Sequence, residues 1–184
     1  ILCSPEGQGL GYRHISLSTC GLVPGIRALM EKKLGVTLSV SLHAPDDAAR
    51  DAIMPVNRKY PIGELMGACR DYFAATGRRI SYEYALIDGV NDSPAQAAAL
   101  ARLLRGQTCH VNLIPVNPVA ERDTRRSTRA AVERFARRLG ELGVNATIRR
   151  ELGSDIAAAC GQLRRAAAVG PCTAADAALP GTGR

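Results

Sequence analysis

Apolar and polar positions along the chain switch repeatedly between two periods. Val36–Leu42 (V-T-L-S-V-S-L) alternates strictly and is rich in β-branched residues, which predicts a strand. Arg13–Thr19, Ile80–Ile87 (I-S-Y-E-Y-A-L-I), Cys109–Ile114 and Val144–Arg149 read as further strands. The stretches between them carry helical signals. Pro24–Lys33 has Pro24 in its first turn, and Pro61–Thr76 is followed by Gly77, where a C-cap belongs. Asp46–Ile53 suits one or two turns. Ser93 can cap a helix over Pro94–Arg105, and Ser127 or Thr128 can start one that runs to about Leu142 and stops at Gly143. Asp155–Leu163 reads as a last short helix. Ile1–Tyr12 and Pro115–Arg126 read as loops, and from Ala166 the Ala, Gly, Pro and Thr content predicts a disordered tail.

Strands separated by helices imply a parallel sheet with helical crossovers. The pattern fits either an open doubly wound sheet or part of a β/α barrel. Both architectures place chemistry at the C-terminal ends of the strands.

Composition narrows the partners. The 184 residues suffice for one domain with a substantial core, and with no Trp and two Phe that core must be aliphatic. A net charge of +7 favours an acidic partner such as nucleic acid without requiring one. Cys3, Cys20, Cys69, Cys109, Cys160 and Cys172 are too far apart for a local metal or cluster motif. The chain is not Cys-dense and opens on no signal peptide, so a reducing cytosol is the expected compartment. No apolar run reaches the length of a membrane span. The first residue, Ile1, is not Met, so a fragment or a processed product is expected.

The strand ends carry S-T-C-G (Ser18–Gly21), S-L-H-A-P (Ser41–Pro45), L-I-D-G-V-N-D (Leu86–Asp92), N-L-I-P-V-N-P (Asn112–Pro118) and R-R-E-L-G-S-D (Arg149–Asp155). The last leads into A-A-C-G-Q-L (Ala158–Leu163). Such a rim suits hydrogen bonding to a polar cofactor better than a carboxylate-bound divalent metal. Each residue also has a plainer use. Ser18 and Ser41 can close turns, His43 can be a structural hydrogen-bonder, and Asn117 can shape a loop before Pro118. D-G-V-N-D-S is a good turn and helix cap. Cys160 can be a small buried side chain, although Gly161 beside it would let a ligand approach. The Arg pairs along the chain suit solvated helix faces, with partners such as Glu133 and Arg137. Arg122, Arg125, Arg126 and Arg129 crowd one loop that could clamp phosphates.

Five segments, L-S-T-C-G-L-V-P, V-S-L-H-A-P, E-Y-A-L-I-D-G-V-N-D-S, V-N-L-I-P-V-N-P and D-I-A-A-A-C-G-Q-L, stand in an order that resembles the RlmN/Cfr family of radical S-adenosylmethionine (SAM) RNA methyltransferases. The resemblance runs from about Gly9 to Leu163 and is closest to the family's C-terminal part. It implies an α/β fold, the C-terminal portion of a partial (β/α)6 radical SAM barrel over residues 1–165, with 166–184 as tail. It implies SAM contacts at Ser18, Ser41, Leu42, His43 and Asn117, and a methyl-carrying cysteine at Cys160. One SAM would methylate that thiolate. A second, cut at a 4Fe–4S cluster, would yield the radical that takes hydrogen from the cysteine-bound methyl. The implied substrate is C2 of an adenine in 23S rRNA and, in some members, tRNA; Cfr-type members favour C8. A reducing donor such as flavodoxin, a disulfide and no membrane partner are implied as well.

Family features that should precede Ile1 are absent from the sequence: the C-x-x-x-C-x-x-C cluster motif, G-E-P, the resolving cysteine and a catalytic Glu. The chain alone is therefore expected to build no cluster and to methylate nothing. Two other readings fit the residues less fully: a basic RNA-binding module without chemistry, and a β/α-barrel enzyme that binds a phosphorylated metabolite through its Arg-rich loop.

Overall fold

The computed structural model describes residues 1–116 and 126–149. Asn117, Cys160, most of the Arg-rich loop, the short helix expected at Asp155–Leu163 and the expected tail lie outside the described residues.

The strands are β1 (Ser16–Thr19), β2 (Thr37–Ser41), β3 (Ile80–Leu86), β4 (Cys109–Pro115) and β5 (Ala146–Ile148). The helices are α1 (Val23–Glu31), α2 (Asp47–Ile53), α3 (Ile62–Thr76), α4 (Pro94–Leu103) and α5 (Arg129–Glu141). All strand pairs are parallel, and the order is β1-β2-β3-β4-β5. A doubly wound sheet reverses its order at a switch point. This sheet never reverses, so it is a segment of a barrel wall.

The two faces of the sheet differ in chemistry. Leu38, Val40, Tyr82, Tyr84, Val111 and Leu113 join α1, α3, α4 and α5 in one buried apolar cluster. The buried tyrosines keep their hydroxyls satisfied: Tyr72 donates to the Val36 carbonyl at 3.0 Å and Tyr82 to Gln107 Oε1 at 2.9 Å. The alternate positions are Ser16, Ser18, Thr37, Ser39, Ser41, Ser81, Glu83, His110, Asn112 and Thr147, all polar, with Ala85 and Ile114 as the apolar exceptions at the C-terminal ends of β3 and β4. Strand register sets them in rows. Ser18 pairs with Ser39 and Ser39 with Ser81; one step higher, Ser41 pairs with Glu83, Glu83 with Asn112 and Asn112 with Thr147. Hydrogen bonds tie the rows together, from Ser16 Oγ against Ser39 Oγ at 3.0 Å to Thr147 Oγ1 donating to Asn112 Oδ1 at 3.1 Å.

Several boundaries differ from the sequence expectation. Tyr12–His14 is a short 3-10 turn, so the first strand begins at Ser16 rather than Arg13. α4 stops at Leu103 because the chain turns left-handed at Gly106 (φ 76°). Thr128, not Ser127, caps α5 by accepting from Ala131 N at 3.2 Å. Ser127 is buried and donates to Asp92 Oδ2 at 2.8 Å. Glu133 pairs with Arg129 at 2.8 Å rather than with Arg137. Cys3, Cys20, Cys69 and Cys109 are all free thiols, so the implied disulfide does not form among the described residues. No described helix is long and apolar enough to cross a membrane.

Candidate functional site

Ser18 and Ser41 sit on adjacent strands, on the same polar face, one register step apart. Neither hydroxyl closes a turn. That task falls to Thr19, whose Oγ1 accepts from Gly21 N at 3.2 Å and Leu22 N at 3.3 Å. The two serines therefore leave their hydroxyls to whatever occupies the face. Leu42 is placed differently. Its side chain is fully buried in the helical layer, its N–H donates to the Glu83 carbonyl at 3.0 Å and its carbonyl accepts from Arg50 Nε at 3.1 Å. What Leu42 provides is the spacing between Ser41 and His43.

His43 follows the strand with φ 59°, a left-handed conformation that costs a residue bearing a Cβ roughly 1–2 kcal/mol. Asn91, fully buried in the D-G-V-N-D-S loop, holds it there. The Asn91 amide donates to the His43 carbonyl at 2.8 Å and to the Ala85 carbonyl at 2.6 Å, and Asn91 Oδ1 accepts from Ile87 N at 2.7 Å. The Asn91 carbonyl accepts in turn from Tyr84 Oη at 3.0 Å. The sequence predicts a turn and cap for this loop. It is that, with the Ser93–Gln96 capping box in place, and it is also the clamp on His43.

The imidazole itself is fixed. Ala85 N donates to His43 Nδ1 at 3.0 Å. Burial, with Arg50 as the second cause, lowers the His43 pKa to about 4. The ring is therefore neutral at pH 7, and since Nδ1 accepts, its proton resides on Nε2. His43 thus offers a single donor, Nε2–H. The structural reading of His43 and the ligand-facing one are compatible, because each uses a different nitrogen.

Arg50 completes the rim. It is fully buried on α2. Its guanidinium donates to the Cys20 carbonyl at 2.7 Å, the Ser41 carbonyl at 3.1 Å, the Leu42 carbonyl at 3.1 Å and Asn57 Oδ1 at 2.9 Å. One side chain so binds the ends of β1 and β2. Asn57 relays the charge outward, donating to Asp47 Oδ1 at 2.9 Å and Asp51 Oδ1 at 2.7 Å. Gly21 (φ 106°) makes room, since a Cβ there would sit 3.0 Å from Arg50 Nη2. Sequence reasoning passed over Arg50, Asn57 and Asn91. Arg50 lies on a seven-residue helix with no local pattern to mark burial.

Among the described residues, Ser18 and Ser41 thus share one face of adjacent strands with His43 two residues beyond Ser41, and no cluster of His, Cys, Asp or Glu could hold a metal ion. Asn117 and Cys160 were expected at this rim and fall outside the described residues.

No family model matches the chain. Solved structures do, two of them as follows. A radical SAM methyltransferase from Sphaerobacter thermophilus superposes with a TM-score of 0.84 at 53% identity, covering 88% of this chain and 48% of that one. A domain of a pyruvate-formate lyase-activating enzyme from Bacteroides vulgatus shares the fold alone, with a TM-score of 0.61 at 18% identity over 79% of this chain and 84% of that one. The sequential parallel sheet with its polar inner face is a partial α/β barrel of the radical SAM class. Among curated proteins, a "probable dual-specificity RNA methyltransferase RlmN" of Pelotomaculum thermopropionicum is 59% identical over 167 residues, which is 90% of this chain and 45% of that protein. The counterpart of Desulforamulus reducens is 56% identical over 159 residues, 86% of this chain and 45% of that one. The chain belongs to the RlmN family and corresponds to its C-terminal part. It spans about half the length of the curated relatives it matches.

Two measurements check the geometry. Arg50→Met leaves three carbonyls and Asn57 without their donor, and should cost about 3–5 kcal/mol in urea unfolding; a loss under about 1 kcal/mol would show that Arg50 does not hold the rim. His43 has a folded pKa below its unfolded one, so the unfolded chain binds the extra proton between about pH 6.5 and pH 4. Its contribution is complete above pH 6.5 and is lost as pH falls through that window, by up to about 3 kcal/mol. His43→Asn keeps an acceptor and tolerates the left-handed backbone, and should abolish this part of the acid sensitivity. Identical pH profiles for the two proteins would contradict the assigned state of His43.

Proposed function

We propose that this chain is the SAM-holding and methyl-relaying part of a radical SAM RNA methyltransferase that acts on C2 of an adenine in 23S rRNA and, as a second substrate, in tRNA. The observation that carries the reading is the placement of Ser18 and Ser41 on one polar face of adjacent strands, with His43 at the end of the second strand keeping its Nε2–H free of the Ala85 contact. Neutral donors and acceptors of this kind suit the hydroxyls, ring nitrogens and carboxylate of SAM. Neighbours of the same family support the cofactor and the 4Fe–4S cluster, whose ligands would come from the part of the relatives that this chain does not span.

In this reading Ser18 and Ser41 hydrogen-bond the cofactor from the sheet, Leu42 sets their spacing to His43, and His43 donates from Nε2 without changing protonation near neutral pH. Asn117 would add a further contact from the segment after β4. Arg50 and Asn91 hold these groups in place before the cofactor arrives, which lowers the ordering cost of binding. Cys160 is the nucleophile. C2 of adenine is electron-poor and has no lone pair to attack a methyl group directly, whereas a thiolate accepts one readily. The thiolate pair of Cys160 forms the new S–C bond as the sulfonium S–C bond breaks. The cluster and SAM, when bound, supply the radical chemistry that a protein side chain cannot. The residue's remaining task is to hold the methyl against the base and away from water. A net charge of +7 supports an RNA partner. A reducing protein such as flavodoxin would deliver the electrons.

In the full-length enzyme, Cys160→Ala should abolish RNA methylation while RNA affinity changes less than about threefold. Retained methylation would remove Cys160 from the chemistry. Methylation at C8 instead of C2 in the unaltered enzyme would place the protein with the Cfr-type members.

A further inference from the structure

Glu83 is the only acidic residue in the five strands of the sheet, and it lies on the central one. It belongs to the polar face, at the register level of Ser41 on one side and Asn112 on the other. Adjacent strands stand about 4.8 Å apart, so the carboxylate flanks the Ser41 hydroxyl directly.

Among the described residues its side-chain hydrogen-bond partner is neutral. The Asn112 amide donates to Glu83 Oε1 at 2.9 Å and to Ser81 Oγ at 3.2 Å. Asn112 is itself oriented, since its Oδ1 accepts from Thr147. The amide end therefore points at Glu83 by construction, and the carboxylate has a fixed direction. His110, on the neighbouring strand, has its pKa lowered by burial first and Arg79 second, so it supplies no cation near neutral pH. Arg78 is engaged at the opposite, N-terminal edge of the face, donating to Thr37 Oγ1 at 3.1 Å and to the Arg13 carbonyl at 3.3 Å. An oriented carboxylate whose hydrogen-bond partner among the described residues is an uncharged amide, on a face that the rest of a barrel would shield from water, suits a cationic ligand.

We propose that Glu83 is the anionic contact for the sulfonium centre of the bound cofactor, and that it selects the charged sulfonium over the neutral thioether left after methyl transfer. This rests on the SAM site proposed above. The same charge that attracts the incoming cofactor has no hold on the spent one, so product exchange is favoured at each turn.

The test uses the full-length, cluster-loaded enzyme and reads binding, not activity. Dissociation constants for SAM and for S-adenosylhomocysteine are measured by calorimetry, with cluster content and melting temperature checked for each variant. The unaltered enzyme should bind SAM at least tenfold more tightly than the thioether. Glu83→Gln keeps the size and the Asn112 contact but removes the charge, and should raise the SAM constant at least tenfold while moving the thioether constant less than threefold. Glu83→Asp should keep most of the preference. Parallel weakening of both ligands would mean that Glu83 touches the shared ribose or adenine or is merely structural, and would overturn the proposal. An unaltered enzyme that binds both ligands equally would overturn it without recourse to any variant. An enzyme that binds neither would instead overturn the SAM site itself.

Discussion

A buried guanidinium sets the geometry on which the site depends. Parallel strands end in unpaired carbonyls, and two neighbouring ends have no intrinsic reason to stay in register beyond their last ladder bond. Arg50 supplies that reason by donating to the Cys20, Ser41 and Leu42 carbonyls at once. The arrangement is demanding, because a buried charge must be matched. Asn57 does so indirectly, linking the guanidinium to Asp47 and Asp51 on the outer surface of α2. Gly21 is the steric condition for the contact. With the strand ends held, Ser18 and Ser41 face the same space, and Asn91 can hold His43 in a backbone conformation it would otherwise avoid.

The periods in the sequence carried most of the architecture. Strict alternation in V-T-L-S-V-S-L, and alternation over the first five residues of I-S-Y-E-Y-A-L-I, reports a face packed by helices and a face that is largely polar, and both strands formed where the alternation lies. Ser93, Gly77 and Gly143 marked helix ends through local chemistry, and local chemistry is legible in a sequence. The choice between a doubly wound sheet and a barrel was not, since strand order is a tertiary property. Arg13–Ile15 misled because an apolar and basic mixture suits a strand edge as well as a turn; the chain there has no partner strand until Ser16 meets Thr37.

The site was legible in a different way. Ser18, Ser41 and His43 stand out through their place at strand ends and through a family resemblance, and the structure sets Ser18 and Ser41 on one face with His43 at the end of β2. Arg50, Asn57 and Asn91 carry no such mark. Their importance lies in burial and in partners 4 to 48 residues away along the chain, as for Asn91 with Ile87 and His43. Leu42 was grouped with its neighbours as a contact, yet its side chain belongs to the helical core. One motif can thus hold two layers of function, with alternate residues serving the cofactor face and the fold.

The central claim is that the polar inner face is the cofactor site and that it is preformed. A crystal structure of the full-length protein with SAM bound tests it most directly. The cofactor should lie on this face within hydrogen-bond distance of Ser18, Ser41 and His43 Nε2, with the Arg50 and Asn91 contacts as they stand here. SAM seated against the helical layer, or reached only after His43 leaves its left-handed conformation, would contradict the account.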